Sequence, residues 1–522
     1  MQDKSSGQTI LKSSLKMALA TLSSRLLGLV RELSMAAFFG ANALTDAFLV
    51  AYRIPNLLRD LFAEGTFSAA FVPTFTEALK EGHQRARELL WEMCWLLGIV
   101  TGVISLIFYF FAAPLVTVFA PSFVGELQQF TITVNLTKIM SPFLLLVSLA
   151  ALFMAVLNTL KIFFIPALAP ALFNVVMIAA IWALPSFLKG HKIDPVYALG
   201  IGTMIGGVVQ LAMQLPYIFK HALKPLWPKE WLSGHAKKII GKMGPSLFGF
   251  AATQINLLIN TILATGTVVG AVSWLNYAFR LFQFPIGILG VSIGGSNLVH
   301  FSEAWKNGDQ EKAVATLKSS YLLSMVTLFL ALGLLMGLAE PMVNLVYQRG
   351  RWLSLDTQNT TLALQWYLAG LPFYGLYKLF VPTFYTIDRH RIPVICSIGS
   401  IVLNIVFCLV FTKHFGFAVL AAGVSLSMAV NISAQAYFLK KDLKLSPFFF
   451  FDWTMVKIFA ASFTTFLFAQ NLGLFFYNEG DGTLMKLGVF LTISLAGILA
   501  YGVMLWLLKE NQLIKCFLNR SK

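Results

Sequence analysis

The sequence predicts an all-α polytopic membrane protein of about fourteen transmembrane helices, built as two parallel six-helix repeats followed by two further helices. Three observations carry this. Hydrophobic residues fill 57% of the 522 positions and charged residues only 12%, about half the share of a soluble globular chain. Apolar stretches broken by Gly, Pro or charged clusters follow one another from end to end. Short motifs recur at a nearly constant separation.

A helix rising 1.5 Å per residue needs about 20 mostly apolar residues to cross the hydrocarbon core. Met1 to Lys16 is polar and lysine-bearing and lacks the compact apolar stretch and small-residue cleavage site of a secretory signal, so span one, 12–39, is expected to be retained. Span two, 46–80, is long and punctuated, and is expected to run on as an amphipathic stretch past the bilayer. Spans three to seven cover 88–112, 128–158, 163–187, 195–220 and 238–266. Span eight, 270–302, resembles span two in length and interruptions. Spans nine to fourteen cover 313–338, 358–386, 392–412, 416–439, 450–472 and 484–508. Cys94, Cys396, Cys408 and Cys516 stand far apart without CxxC or Cys/His metal spacing, so neither a disulfide framework nor a zinc site is expected.

Loop charges orient the chain. Lys4, Lys12 and Lys16 precede span one, Lys80, Arg85 and Arg87 follow span two, and Lys220, Lys224, Lys229, Lys237, Lys238 and Lys242 lie between spans six and seven. With Lys161, Lys306, Lys312, Lys318, Arg389, Arg391, Lys440, Lys441, Lys444 and the C-terminal Lys509, Lys515, Arg520 and Lys522, roughly 25 of the 39 basic residues share one side, against about six on the other. The net charge of +16 is therefore a positive-inside signal that places both termini in the cytoplasm, and it does not call for a nucleic-acid partner.

The repeat is legible in short matches. Phe75-Thr76-Glu77-Ala78-Leu79-Lys80-Glu81-Gly82 returns 226 positions later as Phe301-Ser302-Glu303-Ala304-Trp305-Lys306-Asn307-Gly308. Pro114-Leu115-Val116 returns as Pro341-Met342-Val343, Ile165-Pro166 as Ile392-Pro393, and Asn174-Val175-Val176 as Asn404-Ile405-Val406. A duplicated unit with an even number of spans keeps its topology, so the copies are expected to be related by an axis along the membrane normal. The expected lobes are 1–222 (spans one to six) and 223–445 (spans seven to twelve), with 446–522 holding spans thirteen and fourteen and a cytoplasmic tail.

About eight basic residues remain inside predicted spans: Arg25, Arg31, Arg53, Arg59, Lys138, Arg280, Lys378 and Lys457. Each costs on the order of 2.5–3.5 kcal/mol at the bilayer centre. Arg25, Arg53 and Arg280 each fall roughly 10–20 Å along their helices, near one depth, with only Glu32, Asp46, Asp60 and Glu64 close in sequence to compensate. An anionic ligand resolves such an excess, and the planar guanidinium fork suits phosphate oxygens. The structural alternative is an arginine near a span end that snorkels, or Arg31 paired with Glu32. Lys138 and Lys457 are read that way.

Other chemistries lack their residues. No GxxxxGK[ST] occurs, and Gly241-Lys242-Met243 has neither the preceding glycine nor the hydroxyl, so nucleotide hydrolysis is not expected. There is no HExxH or aspartate-rich cluster, the histidines are scattered, and His300 is read as a polar cap at the inner end of span eight.

Ser24-Arg25-Leu26-Leu27-Gly28-Leu29-Val30-Arg31-Glu32, then Thr45-Asp46-Ala47-Phe48, Pro55-Asn56-Leu57-Leu58-Arg59 and Phe62-Ala63-Glu64-Gly65, resemble the MurJ (MviN) family of lipid II flippases. The likeness continues through Met243-Gly244-Pro245, Val272-Ser273-Trp274, Arg280-Leu281, Phe284-Pro285 and Gly287-Ile288-Leu289-Gly290. It implies the MOP exporter fold: two six-helix lobes around a central cavity, with the last two helices lining a hydrophobic groove. The implied activity is transport and not catalysis. Lipid II, the undecaprenyl-pyrophosphate-linked peptidoglycan precursor, is moved from the cytoplasmic to the outer leaflet of the bacterial inner membrane by alternating access, with membrane lipids and other cell-wall synthesis proteins as further partners. The resemblance implies substrate-binding roles for Arg25, Arg31, Asp46, Arg53, Asn56, Arg59, Ser273 and Arg280, and a gate of Glu64 and Lys378. No cofactor is implied, and the driving force is the membrane potential or a coupling ion. Some relatives bind sodium through acidic residues of the second lobe; here Asn404 stands without an accompanying intramembrane aspartate. Gln283 replaces an acid found in some relatives, and Gly294-Gly295-Ser296-Asn297-Leu298-Val299-His300 replaces a Leu-Pro-containing sequence. The alternatives are a MATE-like or polysaccharide exporter of the same superfamily, or a non-transporting scaffold in cell-wall assembly.

Overall fold

The computed structural model describes the backbone of residues 2–63 and 66–508, and the side chains of these residues outside 2–19, 21, 60–63, 66, 69, 244–253 and 291. Among the described residues the chain is almost wholly helical, without strands, and forms two compact units, Met1–Val272 and Ser273–Lys522.

The first unit opens with α1 (Gln2–Phe39), α2 (Ala43–Ala63), α3 (Thr66–Glu81) and α4 (His83–Phe110). The short α5 (Ala112–Phe119) leads to α6 (Leu127–Met140) and α7 (Phe143–Thr159), separated at Ser141-Pro142. Next come α8 (Phe164–Gly190), α9 (Tyr197–Ala212), α10 (Leu215–Lys220) and α11 (Gly234–Thr265). On α3, Phe67, Phe71 and Phe75 recur every four residues and stack with centroids 5.3 and 5.1 Å apart. This i, i+4 face packs with Leu89 and Trp91 of α4, Phe153 of α7 and Ile239 of α11. Gly202 and Gly206, one turn apart on α9, let α8 approach closely: a Cβ on Gly206 would stand 2.7 Å from the Phe173 ring.

The segment between α10 and α11 is strapped to α4. Arg87 donates to the carbonyls of Lys224 and Pro225 (2.8 and 3.1 Å), and the Trp91 and Trp95 indoles donate to those of Leu223 and Leu226 (3.0 and 3.3 Å). Buried Glu92 accepts both the Ser233 amide at 2.6 Å and its hydroxyl at 2.7 Å, while Ser233 caps α11 through the Ala236 amide. Sequence correspondence assigns α11, as span seven, to the second lobe; by packing it lies with the first unit, against α3 and α4. The strap and the apolar contacts of Ala236 and Ile239 are the cause.

The second unit takes up α12 (Ala271–Pro285), a π-helical turn at Ile286–Gly290, α13 (Val291–Lys306), α14 (Gln310–Gly337), α15 (Ala339–Tyr347), α16 (Ser354–Ala369) and α17 (Leu371–Thr386). It continues with α18 (Arg391–Phe415), α19 (Ala418–Asp442), α20 (Trp453–Phe476) and α21 (Thr483–Leu507). The duplication reappears as geometry. Gln310, Ala339, Ser354 and Arg391 open α14, α15, α16 and α18 just 227 positions after His83, Ala112, Leu127 and Phe164 open α4, α5, α6 and α8. Left-handed turn residues pair in the same way: Lys161 (φ 62°) with Asp388 (φ 58°), and Gly82 (φ 139°) with Gly308 (φ 79°).

The last two helices dock on α14. Lys318 bonds the Asp452 carboxylate at 2.8 Å and the Phe449 carbonyl at 2.5 Å, and Tyr321 donates to the Phe450 carbonyl at 2.6 Å. Ser462 donates to the Phe329 carbonyl and Tyr501 to that of Val326. Gly333 and Gly337 face the α20 backbone, where a Cβ on Gly337 would meet the Phe466 carbonyl at 2.7 Å.

Ten helical segments among the described residues are long and apolar enough to cross a membrane. The sequence expects about fourteen spans; spans one, two, seven and ten are helical in α1, α2–α3, α11 and α16–α17 but are not among those ten. Their interiors carry the polar and charged residues described next.

Candidate functional site

Helix α2 is the backbone of the site in the first unit. Asp46, seven residues before Arg53 and so on nearly the same face, is 2% exposed, and its Oδ2 accepts the Gly270 amide at 2.7 Å. Gly270 adopts φ 92°, a left-handed conformation open to glycine. Arg53, half-buried, donates from Nη1 to Thr261 Oγ1 at 2.7 Å and approaches the Leu257 carbonyl at 3.5 Å. Asn56 follows one turn later, half-buried, with an Oδ1 that has no hydrogen-bond partner.

Helix α1 supplies the second set. Arg31 donates to Glu32 Oε1 at 2.5 Å, its guanidinium lies 5.9 Å from the Phe173 ring centroid, and Tyr52 and Arg59 of α2 stand within its electrostatic reach. The ion pair anticipated between Arg31 and Glu32 is therefore present, and α1 and α2 bring Arg31 and Arg59 together. Arg25 is exposed, and the neighbouring Ser24 carbonyl accepts from Asn174 Nδ2 of α8 at 3.2 Å. Lys138 Nζ sits 5.9 Å from the centroid of the Tyr109 ring.

In the second unit Arg280 is exposed on α12, and Ser273, seven residues earlier on nearly the same face, is fully buried. Lys378 is exposed on α17, where Gly290 and Gly294 pack against its stem and backbone. Glu64, its expected gate partner, lies outside the described residues. Asn404 is buried and accepts from Cys408 Sγ at 3.5 Å. Among the described residues no three His, Cys, Asp or Glu side chains gather as a metal site. His300 lines a cavity of about 360 Å³ with Glu303, Asp309 and Lys312.

Thr261 and Gly270 of the α11 region touch Arg53 and Asp46, and Gln254 lies seven residues before Thr261 on nearly the same face; reasoning about charge overlooks all three. Their signal is a run of amides and hydroxyls, Gln254, Asn256, Asn260 and Thr261, inside an otherwise apolar span. Glu92 announces itself likewise, as an acid within span three.

The helical fold of the described residues is shared by solved transporter structures. An inward-facing multidrug-resistance MATE transporter of the MOP superfamily aligns over 82% of this chain and 99% of its own at a TM-score of 0.65 and 13% identity. A solved lipid II flippase MurJ, in an inward closed conformation, aligns over 95% of this chain and 99% of its own at a TM-score of 0.77 and 24% identity. The chain belongs to the MurJ family of lipid II flippases: the family described as lipid II flippase MurJ matches residues 35–502. The lipid II flippase MurJ of Burkholderia cenocepacia is 36% identical over 419 residues, covering 79% of this chain and 80% of that relative. The probable lipid II flippase MurJ of Vibrio cholerae is 34% identical over 437 residues, covering 81% and 82%. It is accordingly a multi-pass membrane protein.

Proposed function

We propose that the chain carries lipid II from the cytoplasmic to the outer leaflet of the bacterial inner membrane by alternating access, with both termini in the cytoplasm. The observation that carries this reading is membership of the flippase family over 35–502 combined with arginines held inside predicted spans. Arg25, Arg31, Arg53, Arg59 and Arg280 bind the pyrophosphate, because guanidinium forks match phosphate oxygens and a dianion offsets their mutual repulsion. Asn56, Ser273 and Asp46 contribute polar contacts. The polyprenyl tail stays in lipid or along α20 and α21, whose outward faces expose Phe459, Phe463, Leu495 and Leu499. The membrane potential or an ion gradient drives the cycle. A potential negative inside favours outward movement of an anionic lipid, by about 2.3 kcal/mol per charge per 100 mV. A cationic empty site is drawn back inward by the same field.

The test is complementation of a flippase-depleted bacterium. The unmodified chain restores growth, whereas Arg53→Ala and Arg280→Ala insert normally and fail to do so. Normal growth of both variants removes these residues from the binding site.

A further inference from the structure

The geometry points to a seat for sugar hydroxyls on the seam between α2 and α11, formed by Asn56 and Gln254 beside Arg53. It rests on the lipid II reading above and deepens it by naming the part of the head group that this seam receives.

Four pairs fix the register of the seam: Asp46 with Gly270, Arg53 with Thr261, Glu77 with Lys238 at 2.5 Å, and Glu81 with His235 at 3.2 Å. The two residue numbers rise and fall against each other throughout, so α11 runs antiparallel to α2 and α3 along their whole length. Gln254 lies seven residues before Thr261 and therefore on nearly the same helical face, the one turned to Arg53. Leu57 and Leu258 join the same small apolar cluster and complete the alignment between these levels. Reading away from Asp46, the seam presents Arg53, then Asn56, then Gln254.

The last two are incompletely satisfied. Asn56 Oδ1 and Gln254 Oε1 are both shielded from solvent and have no hydrogen-bond partner. A shielded amide oxygen without a donor is costly, and two on one seam call for a ligand or a rearrangement that supplies the donors. Their levels differ by about five helical residues, or roughly 7.5 Å, too far for one group and suited to two groups of an extended chain. A hydroxyl is the ligand class that fits. It both donates and accepts, so it satisfies each amide whichever way its oxygen and nitrogen are turned. Neither amide is ionisable, and the arginines that flank Asn56 on α2, Arg53 and Arg59, are the groups suited to the phosphate. Two neutral amides set among arginines match a sugar joined to a phosphate.

The experiment measures binding of two probes to the purified full chain: lipid II, and undecaprenyl pyrophosphate, which carries the same anion and tail without sugars. The unmodified chain is expected to prefer lipid II. Gln254→Met, which keeps the side-chain volume, is expected to weaken lipid II binding about tenfold and leave undecaprenyl pyrophosphate binding unchanged, erasing the preference, and Asn56→Leu is expected to weaken lipid II binding more than undecaprenyl pyrophosphate binding. Variants that keep the preference, or that lose both ligands equally, overturn the seat. An unmodified chain that binds neither probe overturns the flippase reading itself.

Discussion

The backbone amide of Gly270 donates to the carboxylate of Asp46 at 2.7 Å, joining the start of α2 to the turn that follows α11. Asp46 is 2% exposed, so this charged acceptor sits where water does not compete. An acid placed among arginines invites the reading of a substrate contact, and in the structure its Oδ2 also ties two segments of the chain together.

Removing that acceptor leaves a buried amide unpaired. Asp46→Ala is expected to lower stability by about 1.5–3 kcal/mol, and Asp46→Asn, which keeps an acceptor of similar shape, by less. Thermal unfolding in detergent checks the order. Equal melting of Asp46→Ala and the parent would show that the contact holds nothing in place.

Arg53 and Thr261 separate charge from position. Thr261→Val removes the hydroxyl that receives Arg53 Nη1 at 2.7 Å but leaves the guanidinium in the membrane. It should cost about 1 kcal/mol of stability and preserve complementation, whereas Arg53→Ala should abolish complementation. If the two variants fail alike, the tether matters as much as the charge.

Lys318 and Asp452, 2.8 Å apart and each about three-quarters buried, hold the last two helices to α14. Lys318→Met and Asp452→Asn should be non-additive, with a coupling of about 0.5–3 kcal/mol in a double-mutant cycle read by thermal unfolding. A coupling near zero would assign the docking to Gly333, Gly337 and their apolar neighbours alone.

The fold was readable because membrane crossing imposes a length and a composition on every helix, and the duplication printed the same turns twice, as Lys161 and Asp388 show. The site was readable in part. An arginine in an apolar span is conspicuous because its insertion cost demands a reason, which brought out Arg25, Arg31, Arg53, Arg59 and Arg280. Thr261 and Gln254 were not, since a neutral polar side chain in a membrane helix is cheap enough to need no special cause.

The sequence by itself determined that this is a helical membrane transporter, and it singled out the cations inside apolar spans as candidates for a lipid pyrophosphate. Only the tertiary structure decided what those groups touch: that Asp46 holds Gly270, that Arg31 pairs with Glu32 beside Phe173, and that α11 packs with the first unit although by sequence it opens the second repeat. Composition and spacing report the cost of placing a residue in lipid, which is local. Partners depend on which helix faces come together, and that is settled by packing between segments far apart in the chain.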